Sequence, residues 1–499
     1  MMATVKKSIT NDDWLSYLQR YHIIETEEES QVRRTIIKLL EAILPSFSRA
    51  VAKEHDWKRG DIGCTLLPFG SYALGGYLRN ADIDLILVCP QSVHRRDFFK
   101  LFPPLLKQQP QVTGLETVQR AAVPIIKFNI DKISVDISFV RLRIDKVMPN
   151  INFLDDSLLM DIDETCLASM DGPRVNQFCK RQINQQHVRL FQTCLQCIKH
   201  WATERGIYSK PIGYLNGSAW TLLLVKTYMS IKHQEGLTVT YILQEFFKMW
   251  SRWPWQTPVM LTNYIPDRNG GRIEYKNLTQ FEGSVMPIVS PCYPVCNVAP
   301  NVTKSTKKVL QRELERGYAL LTMEGVTASA LIHKLFNPIN YLTRYKHFIN
   351  IVTSTSTINN HEAWTGRMAI YIPKYIEMIE EDPAIKEVQP LMKPYDTVVN
   401  YRTTEEKIDL QNGFTQEEAR IHDNGKMNPG VIYLTYYLIG ITFNTAFKEV
   451  DLTSYSKTFL SLLNSKKRRD ENVSWALRYI KRSEAAAFLR LSLDKSSQQ

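Results

Sequence analysis

The sequence predicts a multidomain protein of mixed α/β and α+β class, and three observations carry that expectation. A chain of 499 residues amounts to about three domains at roughly 150 residues each. In its first third, Leu85 to Val88 (LILV) and Ile133 to Val140 (ISVDISFV) are short β-branched runs set among mixed apolar and polar stretches, the pattern of a small α/β sheet. Helical spacing then fills the middle of the chain, and strands and helices mix again after Leu335.

Taken in order, Val32, Ile36, Leu39, Ile43 and Phe47 recur every three or four residues and predict an amphipathic helix from Ser30 to Ala50 despite Pro45. Val188, Phe191, Leu195, Ile198 and Ala202 predict another from Gln185 to Thr203. Prolines around Trp253 to Pro258, and Asp267-Arg268-Asn269-Gly270-Gly271, predict loops within one domain, with Trp253 and Trp255 more at home in packing than in base stacking. Phe348 to Thr353 and Val431 to Ile441 are strand-like, with a helix from Glu362 to Glu381 between them. Met427 to Phe447 carries no charge, but its apolar centre from Val431 to Phe443 is short for a membrane span and predicts a buried strand or core helix. These boundaries divide the chain into 1–160, 161–330 and 331–465, with a basic and polar tail at 466–499 expected to fray.

Composition narrows the function classes. With 44% hydrophobic and 23% charged residues, collagenous, fibrous and wholly disordered readings fall away. Sixty-two Lys plus Arg against 51 Asp plus Glu leave a net charge of +11, a mild excess that favours polyanionic partners. Eight cysteines are too few for a disulfide scaffold, and the opening MMATVKKSITNDDW has no apolar leader, so a reducing compartment is expected. Cys194-x-x-Cys197 and Cys292-x-x-x-Cys296 lack Cys/His partners at finger spacing, and zinc is not expected.

The chemistry concentrates at Pro68-Phe69-Gly70-Ser71, followed after ten residues by Asp82-Ile83-Asp84. On a strand, residues two apart share a face about 6.6 Å apart along the chain, so Asp82 and Asp84 would project together while Ile83 and Leu85 face the core. In the second run Ile133, Val135, Ile137 and Phe139 point one way, leaving Asp136 on the other face between Ser134 and Ser138. Three such carboxylates suit two divalent cations about 4 Å apart, the arrangement that activates a 3′-hydroxyl and holds a leaving pyrophosphate. Gly70 would let backbone approach a phosphate, and Ser71, opening the Tyr72 to Leu78 segment, would offer its hydroxyl. An isolated Asp-x-Asp is ordinarily a solvated turn or a cap; the whole combination predicts a nucleotidyltransferase core.

Beyond these residues the sequence resembles the eukaryotic poly(A) polymerases, of the three-domain nuclear type within the polymerase-β-like nucleotidyltransferases. The matching blocks run from near Ile23 to beyond Phe443 and include FGSYALGGYLRNADIDLILV, the VPIIKF of Val123 to Phe128, VDISFVRL, IKHWATERGIYS, MPIVSPCYP and the YKHFI of Tyr345 to Ile349. The resemblance implies a polymerase-β-like nucleotidyltransferase domain, a helical middle domain and an RNA-recognition-like C-terminal domain, with ATP and an RNA 3′ end held in a cleft. It implies Asp82, Asp84 and Asp136 as catalytic metal ligands for two Mg²⁺ or Mn²⁺ ions, Asp136 being best placed to activate the primer hydroxyl. Phe69, Gly70, Ser71, Lys199, Tyr208, Gly217 and Ser218 would surround the nucleotide. Implied partners are RNA 3′ ends, ATP and cleavage and polyadenylation factors, for a nuclear monomer that uses no membrane; Lys466 to Arg469 is then either a nuclear signal or a solvated helix end.

Departures from the family pattern bear on base choice. Its Ser-Leu-Asn-Gly-x-Arg-Val reads Ser169-Met170-Asp171-Gly172-Pro173-Arg174-Val175, its second lysine is Thr203, the asparagine after its tyrosine is Lys210, and the valine after its second glycine is Ser218. An asparagine offers both donor and acceptor to a base edge, and a valine offers a surface on which a ring rests. The leading expectation is adenylate transfer from ATP to RNA 3′ ends. An RNA-tailing nucleotidyltransferase with relaxed base choice and a catalytically weak RNA-binding paralogue are the alternatives, the last opposed by three intact carboxylates.

Overall fold

Threonine caps begin the first two helices. Thr10 and Asp13 form a reciprocal capping box at the start of α1 (Asn11–Arg20), and Thr26 and Glu29 do the same for α2 (Glu27–Glu54). The computed structural model describes residues 9–58, 62–148, 150–267, 271–419, 425–447, 449–468 and 471–496. The chain divides into two units: Met1–Trp201, Gly217–Val298 and Gly317–Phe336 make one, and Ala202–Asn216, Ala299–Arg316 and Asn337–Gln499 make the other.

In the first unit, α2 buries Ile36, Leu40, Ile43, Phe47 and Val51, the stripe that the sequence spacing predicts, with Pro45 accommodated inside the helix. That stripe belongs to the core around a five-stranded sheet of β1 (Thr65–Pro68), β2 (Ile83–Pro90), β3 (Val112–Val118), β4 (Ile125–Ile130) and β5 (Ile133–Leu142). The strand order is β1-β2-β5-β4-β3. Strands β2 and β5 pair in parallel, while β1–β2, β3–β4 and β4–β5 are antiparallel. From Leu85 to Cys89 every β2 residue is buried, which is why this strand reads as a continuous apolar run.

Between β1 and β2 lies the five-residue α3 (Gly70–Leu74), ended by Gly75 at φ 70°. It is shorter than the predicted Tyr72 to Leu78 segment. Helix α4 (Arg95–Lys107) follows β2. The helices α5 (Glu164–Gln182), α6 (Val188–Glu204), α7 (Gly217–Ile231) and α8 (Val239–Arg252) supply the helical middle. There Trp201 meets Trp220 edge-on at 5.4 Å and Phe247 at 4.8 Å. Trp255 stacks at 5.7 Å on Trp250, and Trp253 Nε1 donates to Thr257 O, so both tryptophans are used in packing. The stretch that follows is loop apart from a ribbon of β6 (Ile265–Pro266) and β7 (Arg272–Ile273) and two single 3-10 turns at Tyr275–Asn277 and Thr279–Phe281; Arg268 to Gly270 of the expected turn lie outside the described residues. Helices α9 (Lys304–Leu321) and α10 (Ala328–Phe336) complete the middle segment.

The second unit is organised around β8 (His347–Thr355), α12 (Ile358–Glu380), β9 (Ile385–Pro390), β10 (Tyr395–Thr403), α13 (Thr404–Gln411), β11 (Met427–Phe443), α15 (Thr453–Lys466), β12 (Val473–Lys481) and α16 (Arg482–Ser496), with short α11 (Tyr341–Arg344) and α14 (Gln416–Ala419). Strand order is β10-β11-β8-β12, and β9 pairs with the far end of β11. Read as β8-α12-β9…β11-α15-β12, this is a split βαβ sandwich with both inner strands flanked antiparallel. One sheet face meets α12, through Trp364 against Trp475 and the Tyr437 hydroxyl donating to Thr365 O. The opposite face, carrying Phe348, Val352, Leu434, Tyr436 and Leu438, joins a core with Leu410 of α13 and Phe488 of α16. Burial on both faces from Leu434 to Ile441 accounts for the apolar centre of the uncharged run: it is part of one long strand, and among the described residues no helix is long and apolar enough to cross a membrane.

The expectation of a frayed tail after residue 466 is corrected. β12 pairs with β8 along its whole length, from Val473↔Thr355 to Lys481↔His347. Basic residues at 466–469 drew attention away from the alternation Val473, Trp475, Leu477 behind them. Of the basic run, Arg469 lies outside the described residues.

Candidate active site

Asp84 and Asp136 are the centre of the site in the first unit. Parallel pairing of β2 with β5 sets Asp84 directly opposite Asp136, with Ile83↔Val135 and Leu85↔Ile137 on either side. Ile83, Leu85, Val135 and Ile137 are fully buried, so the two carboxylates are turned to the other face by the pleat. Asp82 is exposed and lies one residue before β2, so it enters the site from the connection leading into the strand and not, as expected from the sequence, from the strand itself. Its charge nevertheless reaches both partners.

Burial is the main reason that Asp84 is pushed up to about 6, helped by the charges of Asp136 and Asp82 and opposed by Lys199 and Lys127. Asp136 is raised by burial and pulled back chiefly by Lys127. Lys127 stands opposite Asp136 on antiparallel β4, with its Nζ 3.6 Å from Asp136 Oδ1. Lys199 of α6 is 3% exposed, not a snorkelling surface residue; burial lowers it to about 8 and Asp84 draws it back up.

The loop between β1 and β2 is fitted to this pair by its glycine. Phe69 N–H donates to Asp84 O at 3.0 Å, and Gly70 follows at φ 67°, a conformation glycine enters without strain. A β-carbon on Gly70 would lie 2.5 Å from Asp84 Oδ2. Asn176 Nδ2 holds Gly70 O at 2.8 Å, and Gly172, whose added β-carbon would lie 2.7 Å from the Phe69 ring, lets that ring close on α5. Arg174 is buried beside them, donating to Phe153 O at 2.6 Å and pairing with Asp156. Gly172 and Asn176 of α5 therefore brace the loop that carries Phe69, Gly70 and Ser71. Gly217 and the exposed Ser218 open α7 in the same unit, with Trp220 buried one turn on. Tyr208 belongs to the second unit, as do Thr203 and Lys210; burial raises Tyr208 to about 12.

Sequence reasoning assigned no role to Lys127 or Asn176. Lys127 lies between the buried Ile126 and Phe128, so alternation shows its face, but its pairing with Asp136 depends on strand register, which spacing alone does not give. Asn176 had no signal beyond its polarity inside an apolar helix face.

Among the described residues, no group of three or more His, Cys, Asp or Glu side chains stands gathered closely enough to hold a metal ion as it is. The donor chemistry nonetheless fits a hard divalent cation: Asp82, Asp84 and Asp136 offer carboxylate oxygens, and Asp136 Oδ1 is buried with no hydrogen-bond partner. Cys194 and Cys197 are buried on α6, and burial raises both thiols.

Comparison with known proteins places this geometry. The poly(A) polymerase nucleotidyltransferase domain matches residues 3–183, the poly(A) polymerase central domain residues 190–338, and the poly(A) polymerase predicted RNA binding domain residues 340–497. Poly(A) polymerase pla1 of Schizosaccharomyces pombe is 29% identical over 84% of this chain and 73% of its own length. Poly(A) polymerase PAPalpha of Candida albicans is 28% identical over 88% of this chain and 80% of its own. A poly(A) polymerase of Dictyostelium discoideum is 28% identical over 94% of this chain and 56% of its own. Solved structures that resemble it include the Cid1 poly(U) polymerase, at 16% identity and TM-score 0.46 over 66% of this chain and 100% of that one. With all three domains matched in order from residue 3 to residue 497, the chain belongs to the poly(A) polymerase family.

Proposed function

We propose that the chain is a template-independent polynucleotide adenylyltransferase that adds AMP from ATP to RNA 3′ ends, with Asp82, Asp84 and Asp136 as its catalytic carboxylates. The observation that carries the reading is the in-register pair of Asp84 and Asp136, with Lys127 as the ionic neighbour of the buried Asp136 Oδ1 and Gly70 backbone packed against Asp84. The same three carboxylates would hold two Mg²⁺ or Mn²⁺ ions, which when bound supply positive charge to the transferring phosphoryl group and the attacking hydroxyl.

The chain's own residues do the rest. Asp136, raised by burial, receives the proton of the primer 3′-hydroxyl, and Asp84 and Asp82 hold the charge balance beside it. Lys199, buried and positively charged at neutral pH with its titration lowered to about 8, offsets the phosphates of ATP. Gly70 lets the backbone reach the nucleotide where a β-carbon would displace Asp84, and the Ser71 hydroxyl donates to a phosphate oxygen. Gly217 and Ser218, at the start of α7 in the same unit, complete its nucleotide contacts. RNA is the polymeric substrate; cleavage and polyadenylation factors are its protein partners, and the enzyme acts as a monomer in the nucleus.

The test is primer extension on unstructured RNA with each of the four NTPs, in Mg²⁺ and in Mn²⁺. Incorporation of AMP in preference to the other three is expected. Equal use of all four would overturn the adenylyltransferase reading in favour of relaxed tailing, and no extension with any would overturn the enzyme.

A further inference from the structure

The second unit contains a cavity of about 750 Å³ whose lining includes His347 of β8, Phe443 at the end of β11, Phe447 and Tyr479 of β12. The aromatic groups are organised. His347 stacks on Tyr479 at 5.8 Å with planes 23° apart, its Nδ1 hydrogen-bonded to the tyrosine hydroxyl, and meets Phe443 at 5.3 Å. Tyr479 remains 51% exposed and Phe447 42% exposed, so part of each side chain is open to a ligand even with His347 stacked on Tyr479.

Register accounts for their meeting. β8 lies between β11 and β12, and His347 pairs with Ile441 on one side and Lys481 on the other, which brings the C-terminal end of β11, the start of β8 and the end of β12 together. Positive charge gathers at the same corner. Lys457 lines the cavity, and Lys346, Lys481 and Arg482 are close enough to His347 to hold its imidazole below its usual range, together with burial, the larger cause. Asp451 is the lining carboxylate that opposes them.

Domains of split βαβ build that bind RNA commonly stack bases on the sheet face away from their two helices. Here that face is filled by Leu410 of α13 and Phe488 of α16, so it offers no platform. We propose that the cavity bounded by His347, Phe447 and Tyr479 is the base-binding subsite of this unit, receiving an unpaired base of the RNA strand while Lys346, Lys457 and Lys481 face its phosphates. Stacking surface beside a cationic rim is the combination by which single strands are held without base reading, and a polyanion complements the charge where an acidic or apolar peptide would complement only half of it.

This inference rests on RNA being the substrate, and its test separates the two. Tyr479→Ala, Tyr479→Phe and Lys481→Ala are made in the full chain and titrated with a labelled single-stranded oligoadenylate at several salt concentrations; the same proteins extend a primer. Tyr479→Ala should weaken RNA binding about fivefold or more, raising KM for RNA with kcat at saturating primer unchanged. Tyr479→Phe should retain binding, and Lys481→Ala should flatten the salt dependence. Oligoadenylate carrying 8-azidoadenosine should crosslink to the Val473–Lys481 strand. Wild-type affinity in Tyr479→Ala, or crosslinks confined to the first unit, would overturn the subsite and leave the cavity to a protein segment. Loss of extension in Asp84→Asn alongside either outcome keeps the catalytic reading standing by itself.

Discussion

A β-carbon on Gly70 would stand 2.5 Å from Asp84 Oδ2. The glycine is therefore placed for two reasons at once, a backbone φ of 67° and a carboxylate that needs the space. Gly70→Ala should cost about 1–2 kcal/mol in backbone strain and push Asp84 aside, and a displacement of about 1 Å in a catalytic group lowers turnover roughly a hundredfold. Steady-state extension kinetics should show the loss mainly in kcat. A Gly70→Ala enzyme with wild-type kcat would refute the assigned contact.

Asp136→Ala and Asp84→Ala should each reduce extension by several orders of magnitude while circular dichroism stays that of the folded chain, since charge stabilisation at the transferring group is worth several kcal/mol. Wild-type-like extension by folded Asp136→Ala protein would remove Asp136 from the site.

Lys127 occupies, 3.6 Å from Asp136 Oδ1, the position from which a positive charge competes with a cation. Lys127→Met should lower the Mg²⁺ concentration for half-maximal extension, by about threefold or more given the strength of unscreened charges at this range. An unchanged Mg²⁺ requirement would show that the ammonium does not compete.

His200 gives the fold an acid-sensitive component. Its ring packs at 4.8 Å on Phe336, and burial lowers its titration to about 4. The unfolded chain takes up this proton near pH 6.5 and the folded chain only near 4, so stability falls as pH drops through that window and levels off beneath it, by up to about 3 kcal/mol. Asp84, raised to about 6, acts with the opposite sign, so the comparison is made within a pair. The urea midpoint of His200→Leu should fall less than that of the parent between pH 7 and pH 5; parallel falls would contradict the assignment.

Thr203 and Ser218 stand where the family carries a lysine and a valine. A charge-assisted hydrogen bond is worth roughly 1.5–3 kcal/mol, so Thr203→Lys should lower KM for ATP about tenfold. Ser218→Val should sharpen preference for ATP, and Lys210→Asn alone should impair ATP use if Lys210 substitutes for the missing lysine. If Thr203→Lys and Ser218→Val leave both quantities unchanged, the nucleotide pocket has been assigned to the wrong residues.

The legibility of this chain followed burial. Strands β2 and β5 announced themselves because a strand covered on both faces demands a short, dense β-branched run, and Asp136 stood out as a charge inside such a run. What depended on register stayed hidden: Lys127 beside Asp136, and Trp475 and Tyr479 on a strand that looked like a polar tail. Asp82 was read as a strand residue because its apolar neighbour Ile83 begins the strand one residue later. Local spacing records which face a side chain occupies, while its partner across the sheet is set by pairing between distant segments.

The interleaving of the two units has a consequence for how the chain is made. Every segment of the first unit has been synthesised once residue 336 is added, whereas Ala202–Asn216 and Ala299–Arg316 belong to a unit whose remaining part begins at residue 337. Tyr214 donates to Pro390 O, and Arg312 pairs with Glu387, so these early segments wait on the ribosome for partners that arrive last. A fragment beginning at residue 337 would lack both segments, leaving Glu387 without Arg312 and the carbonyl of Pro390 without Tyr214. The C-terminal half is therefore a poor candidate for expression as an independent fragment, and nascent chains halted between residues 336 and 390 should be the ones that chaperones hold and proteases cut.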